Sequence, residues 1–102
     1  MGAIGPARCV AVSPLGDPQV TAELAQTPGW KRAGKAIERT YRFPDFNAAM
    51  VFVNWVAALA ERANHHPDMT IRYNEVTVSV WTHSEGGLTS KDFALARGID
   101  AL

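Results

Sequence analysis

The stretch that decides the fold is Pro44–Asn64, "PDFNAAMVFVNWVAALAERAN". From Phe46 onward it contains no glycine or proline, and Asp45 is placed to cap the first turn of a helix. At 100° per residue the apolar side chains form two adjacent stripes beside a narrow polar strip. The first stripe contains Phe46, Ala49, Met50, Val53, Val56, Ala57 and Ala60, and the second contains Phe52, Trp55 and Leu59.

The second apolar stripe on this helix must also be covered by another part of the structure. A helix in a small domain can bury one stripe against its own sheet, so the other predicts contact with another subunit. The alternative, in which the N-terminal helix covers the second stripe, stays open at this point.

Two segments that flank the long helix have the alternation typical of β-hairpins. Trp30–Phe43 contains a glycine turn at Gly34, and "MTIRY" and "EVTVSVW" follow Pro67 with Asn74 between them. Along the last of these strands Val76, Val78 and Val80 are predicted on the core face. Thr77, Ser79, Trp81 and His83 are predicted on the opposite face, which makes His83 the end of the strand.

A shorter helix is predicted at each end of this arrangement. Asp17 is the predicted cap of the first, with Pro18 at its first position and Pro28-Gly29 closing it. In the last helix Thr89 is the predicted cap and Asp92 the third helical residue, and the apolar positions are Phe93, Ala96, Ile99 and Leu102. The order α-β-β-α-β-β-α predicts an α+β fold, a four-stranded antiparallel sheet with three helices packed on one face.

Composition and charge limit the class of protein. A chain of 102 residues with 47% hydrophobic content predicts one domain, residues 17–102, after a poorly ordered N-terminal extension, residues 1–16. Ten basic and ten acidic residues without a like-charge block argue against direct binding of nucleic acid or a membrane surface. The single Cys9 forms no internal disulfide, and the N-terminus has no basic leader. We therefore predict a cytoplasmic protein without a membrane segment.

The chain has three histidines, and two of them are adjacent at the end of the long helix. His65 and His66 lie about 100° apart on a helix, which does not favour a shared metal ion, although a zinc site completed by His83 stays open. Pro67 forces His66 out of helical geometry, so the two rings can diverge. Stabilisation of the helix dipole is the simpler interpretation of the pair. Because all three histidines can meet at one sheet edge, they also suit proton-coupled elimination or addition without a metal.

Taken together, these motifs resemble the pterin-4a-carbinolamine dehydratase family. The family pattern is matched by Glu61, His65-His66-Pro67, Tyr73, His83 and Asp92. The flanking segments match as well, namely "GW" at 29–30, "FPDFNAA" at 43–49, "NHHPD" at 64–68 and "THSEGGLTSKD" at 82–92. The resemblance covers about residues 17–102, and its motifs fall in order with compatible spacings.

The resemblance implies removal of water from a 4a-hydroxytetrahydropterin, giving a quinonoid dihydropterin in tetrahydropterin recycling, with no cofactor. It implies that His65 and His83 are the acid and base and that His66 mainly positions the substrate. The expected substrate-binding residues are Trp30, Glu61, Asn64, His65, His66, Pro67, Trp81, Thr82, His83 and Ser84. Four residues also have structural interpretations, as a solvent-facing helix residue (Glu61), a helix cap (Asp92), a cover of the sheet edge (Trp30) and a strand end (Tyr73). The bulk of Trp81 is expected to narrow the pocket.

The resemblance also implies partners. It predicts a homodimer or homotetramer formed through the helix at 45–63 and the sheet edges. A non-enzymatic alternative is that the chain acts as a dimerisation partner of a homeodomain transcription factor or as an assembly factor, through the outer stripe of the long helix. The complete histidine set favours the enzyme, because a scaffold does not need it.

Overall fold

The computed structural model describes residues 14–102. Its elements are α1 (Asp17–Ala25), β1 (Lys31–Ala33), β2 (Ala36–Arg42), α2 (Phe46–Ala63), β3 (Asp68–Arg72), β4 (Glu75–Val80) and α3 (Ser90–Asp100), with a short 3-10 helix at His83–Glu85. The predicted α-β-β-α-β-β-α order is confirmed. Most of the predicted N-terminal extension, including Cys9, lies outside the described residues.

The four strands form one antiparallel sheet in the order β1-β2-β4-β3. β4 occupies a central position, and its side chains alternate as predicted, with Val76, Val78 and Val80 fully buried. Ile37 of β2, paired with Val80, lies in the same core, as does Phe93 of α3. The helices therefore pack on the face of the sheet that carries the valines of β4.

α2 begins where the sequence predicts, because the Asp45 carboxylate accepts a hydrogen bond from the Ala48 amide at 2.8 Å. The helix packs against both α3 and β4. This double contact gives a buried face drawn from both predicted stripes, namely Ala49, Val56 and Ala60 with the partly buried Phe52, Val53 and Leu59. The predicted division into one buried and one outward stripe was therefore wrong. Phe46 of the first stripe and Trp55 of the second are both exposed.

The first helix is capped one residue earlier than predicted. Gly16 is the N-cap residue, and its amide donates to the Gln19 side chain at 2.8 Å. Asp17 lies in the first turn, where its carboxylate pairs with Arg32 at 2.8 Å instead of capping the helix. The predicted box at the start of α3 is confirmed, since Thr89 is its N-cap and Asp92 its third residue. Leu102, predicted on that helix, lies beyond its last residue.

β4 ends at Val80, so the prediction that His83 ends this strand was wrong. Both neighbouring strands have their first residues close to this point. β2 begins at Ala36, and β3 begins at Asp68, which pairs with Ser79. Within residues 14–102, no strand pairs with the chain past Val80. Thr82 instead forms an isolated bridge with Gly87, and a 3-10 helix begins at His83.

Within residues 14–102, none of the helices combines the length and the apolar character that crossing a bilayer requires.

Candidate active site

All three histidines line one cavity of about 380 Å³. One wall is the end of α2 and the start of β3, and the other is the segment that follows β4. The lining residues are Asn64, His65, His66, Pro67, Asp68, Trp81, Thr82, His83, Ser84 and Lys91. The volume falls within the range of about 300–1,000 Å³ that small-molecule sites usually have. The predicted meeting of the three histidines at one place is therefore observed, and the bulk of Trp81 still leaves room for a ligand.

The end of α2 directs the two adjacent histidines apart. Asn64 takes a left-handed conformation with φ 52°, and the His65 amide donates back to the Ala60 carbonyl, which closes the helix. Pro67 then restricts the backbone of His66. The two rings consequently bind different carboxylates, so the divergence predicted from Pro67 is confirmed.

His65 is held by a buried carboxylate. Its Nε2 lies 2.6 Å from Oδ1 of Asp92, and the two side chains are 12% and 0% exposed. Because a carboxylate oxygen is a hydrogen-bond acceptor, we assign the ring proton of His65 to Nε2. This leaves Nδ1 as the nitrogen that can accept a proton from a ligand.

Asp92 is itself fixed by two further hydrogen bonds. Its Oδ2 accepts from the Thr82 hydroxyl at 2.9 Å and from the Thr89 amide at 2.8 Å, while the two threonine hydroxyls lie 2.8 Å apart. A buried carboxylate needs such partners, since an unpaired buried charge is very unfavourable. The predicted capping role of Asp92 is correct, and the same side chain also orients a candidate catalytic ring.

His66 is held from the solvent side. Its Nε2 lies 2.6 Å from Oε2 of Glu61, and both side chains are largely exposed. Glu61 lies outside the set of cavity-lining residues, so its contact with the site runs through His66.

His83 lies in the 3-10 helix that follows β4, and its side chain is exposed. Its ring packs on Trp81, with the ring centroids 4.0 Å apart and the planes inclined at 57°. The prediction that Trp81 and His83 point to the same side is therefore confirmed, although His83 is no longer part of the strand.

Trp30, like Glu61, is a predicted site residue that does not line the cavity. Its ring is buried in the core, and its Nε1 donates to Oδ2 of Asp100 at 3.0 Å. This hydrogen bond ties the start of β1 to the end of α3, so the structural interpretation fits the observed position of Trp30.

Two cavity residues were missed at the sequence level, namely Asp68 and Lys91. Each is a neighbour of a residue that was singled out, since Asp68 follows Pro67 and Lys91 precedes Asp92. Their position within the "NHHPD" and "TSKD" motifs was the signal that could have identified them.

The part of the chain that the structure describes holds no group of three histidine, cysteine, aspartate or glutamate side chains arranged as metal ligands. His65 and His66 each direct one ring nitrogen to a separate carboxylate.

Comparisons with known proteins agree on one family. The family model described as pterin 4 alpha carbinolamine dehydratase matches residues 13–102. A protein of Thermomicrobium roseum assigned by name to the pterin-4-alpha-carbinolamine dehydratases is 52% identical over 88 residues, which are 86% of this chain and 95% of that protein. A relative of the same name in Thermosynechococcus vestitus is 46% identical over 88 residues, covering 86% and 93% of the two chains.

Two solved structures share the fold. The transcriptional coactivator/pterin dehydratase of Brucella melitensis has a TM-score of 0.83 and 35% identity, covering 87% of this chain and 97% of its own. A pterin dehydratase-like protein described as a RuBisCO assembly factor in the alpha-carboxysome has a TM-score of 0.61 and 22% identity, covering 72% and 87%. The second likeness is one of fold alone.

Proposed function

Since this chain belongs to the pterin-4-alpha-carbinolamine dehydratase family, we propose that it is a hydro-lyase that removes water from a 4a-hydroxytetrahydropterin. The product is a quinonoid dihydropterin, and the reaction serves tetrahydropterin recycling in the cytoplasm. The observation that carries the proposal is that His65, His66 and His83 all line a single cavity of ligand size.

The reaction needs one proton delivered and one removed. The bond between C4a and the hydroxyl oxygen breaks, and protonation lets that oxygen leave as water. The proton on N5 is lost, and the N5 electron pair forms the double bond to C4a. Acid and base groups on two walls of a cavity are suited to this exchange, and each contributes typically about 10²–10⁴-fold to the rate.

In this proposal His65 is the base and His83 the acid. The hydrogen bond to Asp92 occupies Nε2 of His65 and leaves Nδ1 to take the N5 proton. His83 comes from the other wall and is exposed, so it can give its proton to the leaving hydroxyl and recover one from water. After one turnover His65 holds an additional proton and His83 lacks one, so each ring returns to its starting state by exchanging a proton with water.

The remaining lining residues bind the substrate. Asn64 and Ser84 offer hydrogen-bonding groups for the polar edge of a pterin, and Pro67 and Trp81 offer apolar surface for its ring. His66, held by Glu61, contributes to positioning. Trp30 is not part of the proposed binding set, because its ring lies in the core.

The test is the rate of water loss from a chemically generated 4a-carbinolamine, compared with the spontaneous rate. We expect His65→Ala and His83→Ala each to lower kcat by about 10²-fold. His66→Ala is the matched control, because loss of a positioning residue mainly raises KM. Unchanged rates in both His65→Ala and His83→Ala would overturn the assignment.

A second role is favoured by the outer face of α2. Trp55 and Val51 are 59% and 49% exposed. They border an apolar cavity of about 240 Å³ together with Phe43, Ala48, Phe52 and Leu102. Exposed apolar surface of this kind usually marks a protein contact. We assign it to a homodimer or homotetramer interface, and a non-enzymatic partner on the same face is the alternative.

A further inference from the structure

We propose that Trp81 is a positioning residue, which acts on the reaction by holding the ring of His83 in place. The inference rests on the proposed function, in which His83 is the acid. It concerns the contact between the two rings and goes beyond the role of Trp81 as part of the cavity wall.

The three histidines differ in what holds them. His65 and His66 each have a hydrogen bond to a carboxylate, at 2.6 Å in both cases. Within residues 14–102, the ring of His83 has no such carboxylate partner, and the contact observed for it is the 4.0 Å approach to the Trp81 ring. An exposed histidine on a short 3-10 helix samples several side-chain rotamers unless a neighbour favours one.

Trp81 is fixed well enough to act as that neighbour. Its ring is partly buried and packs against the hydrophobic core. The residues on both sides of it, Val80 and Thr82, are buried. The Lys35 ammonium, on the turn between β1 and β2, lies 5.8 Å from the Trp81 ring centroid and adds a cation–π contact. The platform under His83 is thus anchored by the core and by the neighbouring hairpin.

The segment Trp81-Thr82-His83 therefore supports two histidines from opposite sides of the backbone. Thr82 points inward and donates to Asp92, which holds His65. Trp81 points to the cavity and packs on His83. This alternation is the pattern of β4 carried two residues past the end of the strand.

The size of the effect follows from the contact. An aromatic pair contributes enough to change the population of the productive rotamer by about 2- to 10-fold. We expect Trp81→Leu to lower kcat by that factor. Trp81→Phe keeps an aromatic platform and should restore most of the rate. A residue that only lines the cavity would raise KM and leave kcat unchanged.

The deciding experiment is a double-mutant cycle on the full chain with Trp81→Leu and His83→Ala. If Trp81 acts through His83, the substitution at position 81 changes kcat by less than about twofold once His83 is alanine. An equal loss in both backgrounds overturns the inference. Absence of catalysed dehydration by the unmodified chain overturns the proposed function instead.

A measurement without turnover supports the cycle. The ring-proton resonances of His83, assigned by their loss in His83→Ala, should be displaced by the ring current of Trp81 in the unmodified chain. They should move to the position of an exposed histidine in Trp81→Leu and only part of the way in Trp81→Phe. His66, which is exposed and lies on the other wall, is the internal reference. Unshifted His83 resonances in the unmodified chain overturn the inference even if a variant at position 81 fails to fold.

Discussion

His65 and Asp92, 27 positions apart in the chain, are joined by a 2.6 Å hydrogen bond between Nε2 and Oδ1. The other oxygen of the same carboxylate caps α3 through the Thr89 amide. The orientation of a candidate catalytic ring and the beginning of a helix therefore depend on one side chain.

Asp92→Asn should damage both properties. The amide keeps the shape of the side chain but loses the charge, and the hydrogen bonds to the carboxylate weaken or break. We expect the free energy of unfolding to fall by about 2 to 3 kcal/mol, measured by urea denaturation. We expect kcat to fall by about 10²-fold, because the tautomer and orientation of His65 are no longer fixed.

The matched control for Asp92→Asn is Thr82→Val, which removes a different hydrogen bond to the same carboxylate. It should cost about 1 kcal/mol of stability and reduce kcat far less, because the bond to His65 remains. Equal kcat losses in the two variants would contradict a direct role of Asp92 in orienting His65.

The raised pKa of Tyr41 leads us to expect a loss of stability at high pH. Burial, followed by the 2.5 Å hydrogen bond to Asp100 and the negative charge of that residue, raises the pKa of Tyr41 well above its usual 10.0. Above a pH of about 10 the unfolded chain therefore binds fewer protons than the folded chain, so the free energy of unfolding falls as the pH rises. Urea denaturation between pH about 9 and about 11 measures this slope.

Tyr41→Phe removes the group that titrates and should flatten that decline. Tyr73→Phe is the control, because it leaves Tyr41 intact and should leave the decline in place. A slope that is the same in the unmodified chain and in Tyr41→Phe would exclude Tyr41 as its source.

A pair of glycines tests the contact between Arg39 and Asp100. Gly29 and Gly34 both have positive φ, 93° and 62°. A Cβ at Gly29 would lie 2.7 Å from the Arg39 guanidinium carbon, whereas a Cβ at Gly34 would meet no atom of residues 14–102 within 4 Å. Gly34→Ala should cost about 1 to 2 kcal/mol from backbone strain alone. Gly29→Ala should cost about 1 kcal/mol more, because Arg39 must leave its 3.0 Å contact with Asp100.

The two glycine variants are compared by thermal denaturation. Combining Arg39→Met with each glycine variant gives a double-mutant cycle that isolates the contribution of the guanidinium. With methionine at position 39, Gly29→Ala and Gly34→Ala should lower the stability by the same amount. If Gly29→Ala still costs more stability than Gly34→Ala when residue 39 is methionine, the additional cost comes from the backbone at position 29 and not from the guanidinium.

Trp55→Glu tests the interface proposed on α2. A charge in the centre of an apolar contact is strongly unfavourable, so the variant should sediment as a smaller species than the unmodified chain. Its stability as a folded domain should change by no more than about 0.5 kcal/mol, because the ring is exposed. An unchanged sedimentation coefficient would show that this face does not hold the assembly together.

Much of the fold could be predicted because its signals are local. Asp45, the alternating valines of β4 and the box formed by Thr89 and Asp92 each act through residues within a few positions. The end of β4 could not be predicted, because alternation continues through Trp81 and His83 while the strand stops where its partners stop. The buried arc of α2 depends on where α3 packs, which no pattern within the helix reveals.

Most of the residues that line the candidate cavity were predicted from the sequence, but the hydrogen bonds that join them to other segments were not. The three histidines meet as expected, but the bond between His65 and Asp92 joins two distant segments and follows from the packing of α2 against α3. Trp30 was misplaced because an aromatic next to a glycine gives no information about a partner such as Asp100, 70 positions away.

Asp92 caps α3 and also holds the ring of His65, and this combination affects which residues can change during evolution. A relative that loses the proposed activity but keeps the fold can replace His66 or His83 with little loss of stability, because both side chains are exposed. It cannot replace Asp92 so freely, since the start of α3 rests on the same carboxylate. Among relatives that have lost the activity, Asp92 should therefore be retained more often than His66 or His83.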